Sequence, residues 1–352
     1  MKNAILLFSL ILSCMSAFGQ KVNKTEANQL KTFLAQPAET APSNAAALNV
    51  ANSADIASIE GITVENGHVT AIEWNDKHLA GFLDLSGFAA LKKVDVSRNN
   101  LTSLSVSGDA SLAYLNASRN KLTSVNLDGC SGLVKLLLNR NRLTEITLTD
   151  LPLIQNVNVA NNYFVSLDVA NSPTLQTLNC QGNHLENLMV SGCQALKNLY
   201  CGYNKLTQLN LFGVEMLQNL NIDDNEITTM IVSGLPALVS FVCSDNNMTS
   251  LGVRNCNALM DLVCSYNDLT TLSIEGCNNL TFLDCSYNDL TSLTLSNQSF
   301  LQRLLCNNNQ LNSLDVSFDS ALTYINCRYN MLTDLQTTGC NNLRMVACQW
   351  NF

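Results

Sequence analysis

One asparagine recurs every 21 residues along most of this chain. It stands at Asn99, Asn120, Asn141, Asn162, Asn183, Asn204, Asn225, Asn246, Asn267, Asn288, Asn309, Asn330 and Asn351, with no insertion or deletion between. A period that strict means one small structural unit copied end to end, each copy packing on its neighbours. The 352 residues therefore do not divide into conventional domains, because an array grows by adding turns. Each asparagine sits in the frame L-x-x-L-x-C-x-x-N-x-L-T-x-L-x-L. Leu280, Leu283, Cys285, Asn288, Leu290, Thr291, Leu293 and Leu295 show it in full.

The frame dictates a path for the backbone. The L-x-C segment alternates inward and outward, which is strand periodicity. The asparagine ends the strand, where its side chain can bond backbone groups that would otherwise be unpaired inside the coil. The later leucines fill the core from the opposite wall. About ten residues remain for the return, too few for a helix rising ~1.5 Å per residue plus two loops. The sequence therefore predicts an α/β-type leucine-rich-repeat solenoid, a β-dominated horseshoe. Its parallel sheet is concave, its convex side extended or 3₁₀, and a small N-terminal helical cap covers the first turn.

Upstream, Val69, Ile72 and Trp74 match the strand, but Lys77 stands in the asparagine's place and the step to the next unit is 22 residues. The array thus spans 69–352, as one degenerate unit and thirteen units of 21, the last incomplete. Residues 20–68 form the cap and linker. Within them, 25–36 reads as an amphipathic helix N-capped by Thr25, and 62–70 as a hairpin turning at Asn66-Gly67. Residues 37–55, rich in Ala, Ser and Asn, read as a linker or a loosely packed part of the cap. At the other end, either Phe352 plugs the last turn or the last strand is an edge for self-association. Residues 1–19 read as an export signal: Lys2, an apolar run from Ala4 to Leu12, and small residues Ala17 and Gly19. The alternative is lipid attachment at Cys14, the one route to a membrane. The expected location is secreted, periplasmic or on the outer cell surface.

Fourteen cysteines in an exported chain would ordinarily suggest disulfides. Their positions suggest packing instead. Cys180, Cys201, Cys243, Cys264, Cys285, Cys306, Cys327 and Cys348 share one core slot, which other units fill with Val96, Ala117, Leu138, Val159 and Ile222. Cys130, Cys193, Cys256, Cys277 and Cys340 share a second slot at the turn into the next unit. Slots that exchange Cys for aliphatic residues call for buried free thiols. No C-x-x-C pair is present, and neither a metal nor any other cofactor is expected.

This unit resembles the 21-residue, cysteine-bearing repeats of internalin J-like bacterial surface proteins, over residues 91–352. The resemblance implies a secreted or wall-attached leucine-rich-repeat protein of adhesin type. The family plan continues into immunoglobulin-like or mucin-binding-like domains, whereas this sequence stops within a repeat.

A ligand is expected on the outward positions of the concave sheet. The early units present a basic patch, Lys93, Arg98, Arg119, Lys121, Arg140 and Arg142, facing an acidic partner or sulfated glycan or balancing charge along the array. Later units present Tyr200, Tyr203, Asp224, Asp245, Tyr266, Asp268, Phe282, Tyr287, Asp289, Tyr324, Tyr329 and Trp350. Tyr and Trp among acidic and amide groups suit a protein or glycan ligand; stacked rings that merely stiffen the sheet are the alternative. The net charge of -9 argues against nucleic acid and anionic membranes. The three histidines, His68, His78 and His184, belong to no catalytic motif. The expectation is a non-catalytic binding scaffold of the bacterial envelope or secretome, of adhesin or host-interaction type; the alternative is a structural, self-associating repeat protein.

Overall fold

The computed structural model describes residues 21–51, 53–295 and 298–352, so the expected export signal and Cys14 lie outside the described residues. It forms two compact units, the first ending at Ile154 and the second running from Gln155 to Phe352.

The first unit begins with helix α1 (Lys24–Leu34), which turns Leu30, Phe33 and Leu34 into the core. Its N-cap is Asn23, not Thr25: the Asn23 Oδ1 accepts from the backbone N–H groups of Thr25 (2.9 Å) and Glu26. Asparagine is among the strongest N-caps, and it stands two residues ahead of the expected start. The stretch after α1 is fastened rather than loose. It holds a one-turn helix, α2 (Asn44–Ala47), whose buried Asn44 donates to the carbonyls of Phe33 and Ala80 and accepts from the Ala80 N–H. Ala-rich composition conceals this, because one amide side chain supplies all three bonds. Strands β1 (Ile62–Glu65) and β2 (His68–Glu73) pair antiparallel about Asn66 and Gly67, both at positive φ as a tight hairpin turn requires. Glu26 ties helix to hairpin, accepting from Val69 N–H at 2.9 Å and meeting His68 Nδ1 at 2.7 Å. Trp74 is wholly buried, stacked on Phe33 with centroids 6.0 Å apart.

From β2 onward the strands are parallel. In the first unit they are Lys93–Asp95, Tyr114–Asn116 and Lys135–Leu137. In the second they run from Asn156–Asn158 to Met345–Ala347, each pairing with its equivalent 21 residues on. The return side is extended, with short parallel ladders such as Thr229–Ser233, Ser250–Arg254 and Thr271–Ser273. In the degenerate unit the register slips between Gly81 and Phe82, which absorbs the odd step and lets Leu83 and Leu85 bury fully.

Between the two walls lie the leucines and cysteines of the frame. The asparagines weld successive turns. Asn267 Nδ2 donates to the carbonyls of Cys243 (3.0 Å) and Cys264 (3.2 Å), and its Oδ1 accepts from the Met248 N–H (3.0 Å). Asn288 repeats the pattern one turn later on Cys264, Cys285 and Leu269. The described cysteines are free thiols, buried except for Cys348. Burial pushes Cys180 up to about 12 and Cys327 up to about 11, whereas a hydrogen bond from Cys277 holds Cys256 below the usual thiol range. Phe352 does not plug the last turn: it is 88% exposed, and Val346 on the last strand is only half-buried.

Candidate functional site

The residue just before each repeat asparagine is where the surface is built. Its φ is positive at every turn, from 56° at Arg98 and Arg119 to 54° at Tyr266, Tyr287 and Tyr329 and 64° at Trp350. This left-handed conformation suits glycine and asparagine and strains most other side chains by ~1–3 kcal/mol. Gly182, Asn161 and Asn308 fill the position as the backbone prefers. The other turns carry Arg, Asp, Tyr or Trp, and the left-handed backbone does not call for Arg, Tyr or Trp. Their side chains leave the sheet into solvent: Tyr203, Tyr266, Tyr329 and Trp350 are all at least half exposed. The strained position was invisible in the sequence, although the run of Arg and Tyr before Asn was plain.

In the second unit these rings pair. Tyr266 and Tyr287 stack with centroids 4.3 Å apart and planes 9° from parallel. Tyr329 and Trp350 stack at 5.8 Å and 7°. The other predicted aromatics sit on the strands themselves. Tyr200, Phe282 and Tyr324 are half-buried, and the Arg303 guanidinium lies between the faces of Phe282 and Tyr324 at 5.5 and 5.7 Å. Arg303 was missed by reading the sequence for runs of like charge; its signal was a place six residues before Asn309. Asp224, Asp245, Asp268 and Asp289 are exposed beside the aromatic row, with Asp289 held by Gln310 Nε2 at 2.8 Å. Asp223, half-buried, lies close enough to Tyr203 for its charge to hold the phenol's proton on. His184 stacks on Tyr163 at 5.8 Å. The arrangement offers flat apolar faces rimmed by carboxylates and amides.

The first unit carries the predicted basic patch. Arg98, Arg119 and Arg140 occupy the strained position on three successive turns, and Arg142 is exposed two residues on. Lys93 pairs with Glu73, and Lys121 with Glu39 at 3.2 Å. Lys135 lies over the Tyr114 ring at 5.7 Å. The basic and the aromatic-acidic residues thus belong to different units, and each set makes its own surface. Among the described residues, no group of three or more His, Cys, Asp or Glu side chains is placed to hold a metal ion.

No protein-family model matches this chain, and no curated protein is significantly similar to it. Solved structures are. YopM, a leucine-rich effector protein from Yersinia pestis, aligns at 22% identity over 74% of this chain and 78% of its own, with a TM-score of 0.57. A leucine-rich-repeat protein of Leptospira interrogans aligns at 18% over 79% of this chain and 81% of its own, TM-score 0.53. The functional domain of InlJ from Listeria monocytogenes, described as including a cysteine ladder, aligns at 25% over 82% and 73%, TM-score 0.48. The likeness is one of fold. Taken with the 21-residue unit and the buried asparagine ladder seen in the molecule itself, it gives this chain the fold of a leucine-rich-repeat solenoid.

Proposed function

We propose that this protein is a non-catalytic binding scaffold, exported to the bacterial envelope or beyond, that recognises a protein or glycan through its sheet face. One observation carries the reading. The outward position that the backbone would best fill with Gly or Asn is given over to exposed, stacked aromatics at Tyr266, Tyr287, Tyr329 and Trp350. Large exposed rings at a strained position are a cost to the free fold, and ligand contact is what they serve. An adhesin or host-interaction role fits such a surface and the export signal read in the sequence.

A glycan-array and extracellular-protein screen of residues 20–352, with and without Ca²⁺, tests this. Replacing Tyr266, Tyr287 and Tyr329 together by Ala is expected to weaken a captured ligand by about tenfold or more while the melting temperature holds. Unchanged affinity would move the site off this face, and a folded protein that captures nothing would favour the structural role.

A further inference from the structure

The arginine row of the first unit makes a second surface, independent of the aromatic one. Arg98, Arg119 and Arg140 share one backbone conformation, with φ of 56°, 56° and 60°. They follow strands paired in strict register, Lys93 with Tyr114 and Tyr114 with Lys135. Three guanidiniums therefore leave the sheet in the same direction at a pitch of ~4.8 Å, one strand spacing. The neighbouring lysines are spoken for: Lys93 by Glu73, Lys121 by Glu39, Lys135 by the Tyr114 ring. Among the described residues, Arg98, Arg119, Arg140 and Arg142 enter no ion pair. Two carboxylates stand near the row. Asp76 holds the same backbone position one turn earlier, and Asp95 is engaged by Ser97 and Asn116. Like charges one strand apart repel, and the fold does not ask for them there.

The pitch selects the partner. Side chains on one face of an extended acidic peptide recur at ~6.6 Å, two residues. Phosphates of one strand of duplex DNA rise ~3.4 Å per step along the helix axis and wind away from any one face within a few steps. Rotation about its glycosidic bonds lets a linear glycan turn the anionic group of successive rings toward the row, which a pleated peptide strand, fixed to alternate faces, does not do. The planar fork of arginine takes a carboxylate or sulfate in two parallel hydrogen bonds, which an ammonium cannot do. We infer that Arg98, Arg119 and Arg140 bind a linear acidic polysaccharide carrying one anionic group per ring, laid across the strands. The inference uses no residue of the second unit, so it stands or falls separately from the aromatic surface.

The test is binding of the purified chain to polygalacturonate (one carboxylate per ring) and to cellulose sulfate substituted about once per ring, across a salt series. Saturable binding that weakens with salt is expected for at least one, and the preferred polymer names the anion. Replacing Arg98, Arg119 and Arg140 by Asn, which the same position accepts at Asn161 and Asn308, keeps the fold, as melting temperature will show. That variant is expected to lose roughly a hundredfold in affinity, three charge-assisted contacts being removed. Replacing all three by Lys should give an intermediate loss. Replacing Lys93 and Lys121 by Gln should change affinity by no more than about threefold, since both are already paired at the surface. Binding to neither polymer, full binding by the Asn variant, or equal competition by polyglutamate of matched charge would overturn the inference.

Discussion

At the scale of single residues, two buried polar groups set opposite demands. The repeat asparagine is fully used: Asn267 closes four hydrogen bonds to backbone atoms of two turns. Asn267→Ala would leave the Met248 N–H buried without a partner and take one of two side-chain bonds from each of the Cys243 and Cys264 carbonyls, a loss of about 1–3 kcal/mol. Denaturant unfolding measures it, and a loss below about 1 kcal/mol would mean that water replaces the amide. Asp109 is the reverse case. It is wholly buried in the slot that Cys130 fills one turn later, and neither carboxylate oxygen has a hydrogen-bond partner. Burial pushes its pKa up to about 8. The unfolded chain releases that proton near the ordinary value of 3.8, so between about 4 and 8 the folded state binds the extra proton. Stability contributed by this group is therefore present at acid pH and falls as pH rises toward 8. Asp109→Cys should raise stability at pH 8 and flatten that fall; thermal unfolding across the range decides, and a variant with the wild-type slope would refute the assignment. Asp319, raised to about 7 in the same slot beside Cys340, adds to the same trend.

At the scale of elements, the ladders explain why cysteine is harmless here. Equivalent thiols lie on adjacent parallel strands with their Cβ atoms pointing the same way, a poor geometry for an S–S bond. Desolvation also raises the pKa of the core-slot thiols Cys180, Cys243, Cys285 and Cys327, and the thiol form is unreactive. In the folded protein one thiol among the described residues, Cys348, should react quickly with a thiol reagent, and the rest only on unfolding. Fast labelling of several ladder cysteines in native buffer would contradict the buried ladder. The cap works by the same economy of contacts. Glu26 and Asn44 each join two segments that local propensity alone would leave apart.

At the scale of the whole molecule, a net charge of -9 conceals a division of labour. The first unit presents unpaired arginines, and the second presents aromatic rings among carboxylates. Repeat architecture permits this because the core slots and the outward positions are occupied independently. One frame of buried Leu, Cys and Asn holds the turns, while the outward residues vary without touching that frame. The outward residues of each unit face solvent, so a ligand would lie across turns rather than enter a pocket. Affinity on such a face comes from many equivalent contacts in series.

The sequence by itself determined the solenoid, its period, the strand positions, the asparagine ladder and the packing role of the cysteines. Each follows from periodicity and from the need to pair buried backbone groups, both of which are local in a repeat. It also placed the basic and aromatic residues on the outward side. Only the tertiary structure decided the rest. It put the residue before each asparagine in the left-handed region, which depends on how the strand turns into the core. It paired Lys93 and Lys121 with Glu73 and Glu39 while leaving the arginines unpaired, and Glu39 lies more than 80 positions from Lys121. It fastened residues around Asn44 into the cap and stacked Tyr266 on Tyr287. These are contacts between segments distant in the chain, and no local pattern encodes which of several like charges or rings will find a partner.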